Sequence, residues 1–234
     1  MIIVLLFLLV VAVIAGRWLS HQGLMSQPWL EVGLGEITEG RDRTALSGAK
    51  LGLFVFLAVV GGFFALLVSG YVMRMGYPDW RNTPMPPLLW VNSALLVMGS
   101  VLLHNALLSA RKGDRATTRL ALAVAGVAAF GFLAGQLVVW QQLTDAGLGL
   151  TANPANSFFY MLTGIHGLHI VGGLVAWGRT TLAVFGDDPV EQQVTRIELS
   201  ALYWHFLLFV WALLMVVMLG WADDLVNMCN QLLR

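Results

Sequence analysis

Charge is what this chain has least of. Only 11% of its 234 residues are Asp, Glu, Lys or Arg, against about 25% in a typical soluble domain, while 58% are hydrophobic. That composition belongs in a bilayer. A formal net charge of zero, with no basic block, argues against nucleic acid as a partner. Cysteine occurs once, as Cys229, so no internal disulfide and no cysteine metal cluster can form. There is no Gly-rich phosphate loop, no His-Glu-x-x-His zinc motif and no Gly-x-Ser-x-Gly elbow, which argues against enzymes of those classes. The membrane interior also lacks carboxylates, so a relay of acidic residues for protons is missing.

What is present is a set of long uncharged runs. A hydrocarbon core of about 30 Å needs about 20 residues of helix. Five stretches qualify: Leu51 to Tyr71, Pro87 to Ala110, Leu120 to Leu143, Phe158 to Trp177 and Leu199 to Trp221. A sixth, Ile2 to Gly16, is shorter and runs into Arg17 and Trp18. It lacks the basic start of a secretory signal, and Trp18 prolongs the apolar run past a snorkelling Arg17, so it reads as a retained helix.

The 13 lysines and arginines divide unevenly between the two sides. Alternate connections hold Arg17, Arg41, Arg43 and Lys50, then Arg111, Lys112, Arg115 and Arg119, then Arg179 and Arg196; the other side holds Arg74, Arg81 and Arg234. The positive-inside rule makes the first set cytoplasmic and puts both termini outside. Trp80, Trp90, Trp140, Trp177 and Trp221 lie at or near span ends, where interfacial aromatics belong. The resulting layout is an N-terminal transmembrane helix (1–18), a cytoplasmic loop (19–47) with one short helix near Gln27 to Val32, a membrane domain (48–222) and an external tail (223–234).

Polar residues inside spans are costly and need partners. At about 1.5 Å per residue, His104, His169 and His205 share a depth of about 9 to 12 Å from the cytoplasmic face. His166 lies one turn from His169 on the same helix face, and Gln136 lies deeper. Matched histidines on three helices allow bis-histidine haem ligation or a metal site. They equally allow hydrogen bonding between helices, with Gly164, Gly167, Gly172 and Gly173 letting backbones approach. Helix-to-helix bonding is also the simpler role for Asn92 and Gln136. Glu198 opens the last span, where a carboxylate favours the positive end of the helix dipole.

Several motifs, in order, carry a family resemblance. Phe159-Tyr160-x-x-Thr163-Gly164-x-His166-Gly167-x-His169-x-x-x-Gly173 resembles the penultimate helix of subunit III of haem-copper terminal oxidases. Glu198, then Tyr203-Trp204-His205-Phe206 and Trp211, is similar to that family's final helix. Leu89-Trp90-Val91-Asn92-Ser93 resembles its "LWxNT" helix start, and Phe132-x-x-x-Gln136 with Trp140 resembles the helix after that.

The resemblance covers Gly48 to about Trp221 and has definite implications. Subunit III carries no haem or copper; those centres sit in subunits I and II. It packs against subunit I, holds phospholipid, and supports proton delivery and lasting activity in an oxidase that reduces oxygen to water. His166, His169, Glu198, His205, Trp90, Asn92 and Gln136 become structural polar residues between helices, with no catalytic, cofactor or metal residue in this chain. The five matched spans correspond to the third to seventh of the family's seven. Ile2 to Trp18 then stands in the place of the second.

Two departures are evident. The family's intramembrane Ser-Glu pair is replaced by Leu57-Ala58, and the aspartate of "WHFVDxxW" is replaced by Leu208. The first removes the site of carbodiimide reaction in the family.

The expectation is an all-α transmembrane protein, a five-helix subunit III bundle with one extra N-terminal span, in a bacterial-type inner membrane. Its implied role is that of an accessory subunit in a proton-pumping respiratory oxidase. Alternatives are an accessory subunit of a nitric oxide reductase or quinol oxidase, or a haem-binding membrane cytochrome using His104, His169 and His205. A small transporter is disfavoured, because no inverted repeat or discontinuous helix pair is visible.

Overall fold

The computed structural model describes residues 17, 48–186 and 193–219. Apart from Arg17, the expected N-terminal span lies outside the described residues, as do the 19–47 loop with its short helix, Trp221 and the tail bearing Cys229. Five helices follow one another: α1 (Gly48–Met75), α2 (Leu88–Arg111), α3 (Arg115–Asp145), α4 (Pro154–Phe185) and α5 (Val194–Met218). Each is long and apolar enough to cross a membrane. At about 1.5 Å per residue even α2, with 24 residues, reaches about 36 Å. Helices α1, α3 and α4 outrun their charge-free runs at both ends, α4 by about two turns at its C-terminal end, because backbone hydrogen bonding continues into the interface where hydropathy has already fallen.

Local chemistry sets the helix ends. Pro84, Pro86 and Pro87 precede α2, where a missing N–H costs nothing. Gly113 and Gly147 hold the two positive φ angles among the described residues, +75° and +77°. Each closes a helix in the same way. Gly113 N–H bonds to Ala110 O and Asp114 N–H to Ser109 O; Gly147 N–H bonds to Thr144 O and Leu148 N–H to Leu143 O. These are Schellman closures of α2 and α3. Asp114 then caps α3 by accepting from Thr117 N–H at 3.1 Å, and Asn153 caps α4 ahead of Pro154. Arg119 reaches from α3 to the last carbonyls of α4, at Val184 and Phe185, which complements that helix's negative end.

Helices α2 and α3 pack most closely; α5 touches α2, α4 and α1, and α4 also packs on α3. The core is therefore centred on α5, which buries Trp204, Leu207, Trp211 and Leu214, with Trp211 edge-on to Phe132 of α3 at 5.0 Å. Helix α1 is an edge element, buried mainly along Leu57, Val60, Phe64 and Tyr71. It leans on α4 and α5 and does not pack closely on α2.

Candidate functional site

The polar residues collect at several places. At the end bearing Lys50, Arg111 and Glu198, here the basic end, three helices meet through one carboxylate. Glu198 Oε1 accepts from Lys50 Nζ of α1 at 2.9 Å and lies 3.6 Å from Arg111 Nη2 of α2. About two turns deeper, His205 of α5 and His104 of α2 face each other with ring centroids 5.8 Å apart, both exposed at the bundle surface. His169 is not with them. It packs on Phe64 of α1 at 5.4 Å, so the three histidines of matched depth do not converge on one centre. Among the described residues no group of three or more His, Cys, Asp or Glu is placed to hold a metal ion.

The histidines do not bond between helices as the sequence suggests. His169 Nδ1 donates to Ile165 O at 2.8 Å and His205 Nδ1 donates to Ala201 O, both within the same helix. The carbonyl one turn back is the nearest acceptor, and it satisfies one ring nitrogen without a partner helix. His166 is fully buried among Phe64, Phe132 and Trp211, and its ring nitrogens have no protein partner, so it packs as an aromatic ring. Trp90 is exposed and makes no side-chain bond to another helix among the described residues. Asn92 and Gln136 do meet, with Asn92 Nδ2 donating to Gln136 Oε1 at 3.4 Å in the buried α2–α3 interface.

Aromatic donors make several of the polar links between helices instead. Trp211 Nε1 donates to Ser93 Oγ at 2.9 Å, Trp177 Nε1 to Leu122 O at 3.0 Å, Trp140 Nε1 to Thr163 Oγ1 at 3.1 Å, and Tyr203 Oη to His169 O at 2.9 Å. Indole and phenol combine a large apolar body with one donor, which suits a dry interior. Two glycines make room for these rings. A Cβ on Gly173 would come within 2.7 Å of the Tyr203 ring, and one on Gly126 would overlap the Trp177 indole. Gly135 is likewise filled by Asn92. Gly164 and Gly167 meet only ordinary contacts. The sequence carried a signal for this, Trp and Gly recurring on neighbouring helices, but not the pairing.

A groove of about 710 Å³ opens between α1, α4 and α5, with Leu53, Phe56 and Tyr203 on its apolar walls and Arg179 and Arg196 toward the basic end. At its base Thr180 Oγ1 and Ser200 Oγ lie 3.3 Å apart. At the opposite end of the bundle the α1–α2 and α3–α4 loops are stitched together by Asn153 on the Arg81 backbone and by Thr83 on Asn156 at 2.6 Å. There the Arg74 guanidinium bonds the Asp79 carboxylate and holds its pKa below the usual value of 3.8.

Residues 46–223 match the family model described as cytochrome c oxidase subunit III, a range that takes in all five helices. The chain belongs to that family. It is similar to cytochrome c oxidase subunit 3 of Synechocystis sp., with 32% identity over 71% of this chain and 72% of the relative. A probable cytochrome c oxidase subunit 3 of Nocardia farcinica is 29% identical over 69% of this chain and 82% of the relative. The cytochrome bo(3) ubiquinol oxidase subunit 3 of Pseudomonas aeruginosa is 27% identical over 75% and 87%. The family and the five apolar helices make this an integral membrane protein of the respiratory chain. Of the two departures from the family pattern, Leu57 is buried against the bundle and Ala58 faces outward, while Leu208 packs against the core.

Proposed function

We propose that this chain is the non-catalytic subunit III of a haem-copper oxidase, associated with subunits I and II, in which it holds phospholipid and sustains proton uptake and turnover while oxygen is reduced to water. The observation that carries this reading is the family match over all five helices. The groove between α1, α4 and α5 supports the lipid role: its walls suit acyl chains, and Arg179 and Arg196 suit a phosphate headgroup. The basic end is assigned to the cytoplasm by the positive-inside rule, in a bacterial-type inner membrane with both termini outside. His166, His169, His205, Asn92, Gln136 and Trp90 then serve packing and membrane anchoring, and Glu198 serves as an interhelical ion-pair partner.

The test is purification of the complex through a tag on this chain. The expected result is a large multi-span partner that carries all the haem and, once this subunit is removed, begins at a normal rate of oxygen consumption but fails after fewer turnovers. A Soret band in the isolated chain would overturn the reading. Arg179→Gln with Arg196→Gln should lower co-purified anionic phospholipid, read by native mass spectrometry. Quinol as electron donor is a second reading, favoured by the Pseudomonas aeruginosa relative's name. Reduction of the purified complex by cytochrome c or by quinol separates the two.

A further inference from the structure

Helices α1 and α2 flank α5 without packing closely on one another, and the cleft between them is floored by the outward face of α5. Phe206 closes the α1 side against Gly61, while His205 and Phe209 point out of the bundle, Phe209 being 67% exposed. His104 and Leu108 of α2 form the other wall, and the Lys50–Glu198–Arg111 cluster closes the basic end. Two imidazoles are thus presented to the hydrocarbon layer.

Their chemistry specifies the neighbour. A carbonyl can only accept, so His205 Nδ1 carries the proton given to Ala201 O, and in a neutral ring Nε2 is then left as an acceptor. His104 makes no hydrogen bond among the described residues, and hydrocarbon chains offer neither ring a partner. The rim adds a charge pattern, two cations around a single carboxylate, with the Arg111 side chain half exposed.

We propose that this cleft receives a transmembrane helix of the catalytic oxidase subunit, one that presents a hydrogen-bond donor at the depth of His205 Nε2 and an acidic residue toward Lys50 and Arg111. The proposal rests on the oxidase-subunit reading above. Lipid acyl chains and the chain's own Ile2 to Ala15 segment offer no hydrogen-bonding side chain at all. A second copy would bring the same acceptors and the same cationic rim, so like would face like.

The experiment is photo-cross-linking in native membranes, with p-benzoylphenylalanine replacing Phe209 or Leu108, and replacing Phe130, which is exposed on α3 beside Trp177 of α4, as the control. The expected result is an adduct with the catalytic subunit from Phe209 and Leu108 and none from Phe130. Adducts to a second copy, to lipid alone or to the chain's own N-terminal segment, or a partner adduct from Phe130 only, would overturn it. His205→Leu should lower the amount of this chain recovered with the complex several-fold, while His205→Gln, which retains an acceptor, should keep most of it. Equal loss in both variants would count against the donor–acceptor pairing. If the unmodified chain co-purifies with the haem-bearing subunit but the cleft gives no adduct, only this inference fails; if it co-purifies with nothing, the oxidase-subunit reading fails with it.

Discussion

The seam between α3 and α4 and the cleft between α1 and α2 solve the same problem in opposite ways. In the seam, Trp177 fills the space left by Gly126 and donates to Leu122 O, and Trp140 donates to Thr163. Each of these donors finds its acceptor within the chain. In the cleft, His104 and His205 lie exposed at the surface, and among the described residues the Glu198 cluster at one end ties the walls together. The same lipid-compatible composition therefore yields one surface that is finished and one that waits for a partner.

The contrast is sharpest at Gly126. Gly126→Ala would drive a methyl into the Trp177 indole and should cost about 1–3 kcal/mol, as overpacking of a filled site does. Detergent or thermal unfolding of the purified chain measures it, and an unchanged midpoint would mean the seam is looser than the geometry implies. Trp211→Phe keeps the ring but loses the bond to Ser93, and should cost about 0.6–1.7 kcal/mol, the range of hydrogen bonds between membrane helices. His205→Leu should change the stability of the isolated chain by less than about 0.5 kcal/mol, as an exposed site does, while still weakening recovery with the complex. A large loss of stability in the isolated chain would place His205 in the finished part of the fold.

The smallest effect lies in the loops. Hydrogen bonds from the Thr117 side chain and backbone hold the Asp114 carboxyl below its usual value, as Arg74 does for Asp79. A depressed folded-state pKa means that these contributions are fully present above the unfolded value of 3.8 and are lost as pH falls through the lower folded values. Melting temperature should therefore drop as pH falls below about 3.8, and Asp114→Asn should flatten part of that slope while keeping a capping side chain. A steeper slope in the variant would contradict it.

The five spans and the family were legible in the sequence; that Asn92 lies 3.4 Å from Gln136 is a matter of how α2 and α3 are turned toward each other. Bonding between helices through the histidine rings was expected and is not what the rings do. His166 and His169 stand one turn apart, yet one is fully buried without a polar partner and the other bonds its own helix. The role of Gly173 in accommodating Tyr203, and of Gly126 in accommodating Trp177, had no local signature, because each depends on a ring arriving from a different helix.

Sequence by itself determined that the chain crosses a membrane, roughly where, and to which family it belongs, since hydropathy and motifs are sums and orders along the chain. Tertiary structure alone decided which side of each helix is core. In a soluble helix the polar face announces the answer, but a membrane helix is apolar toward lipid and apolar toward its neighbours, so periodicity carries little of that information. Only the packing of the five helices against one another fixes their rotations, burying His166 and turning His104 and His205 outward into a cleft.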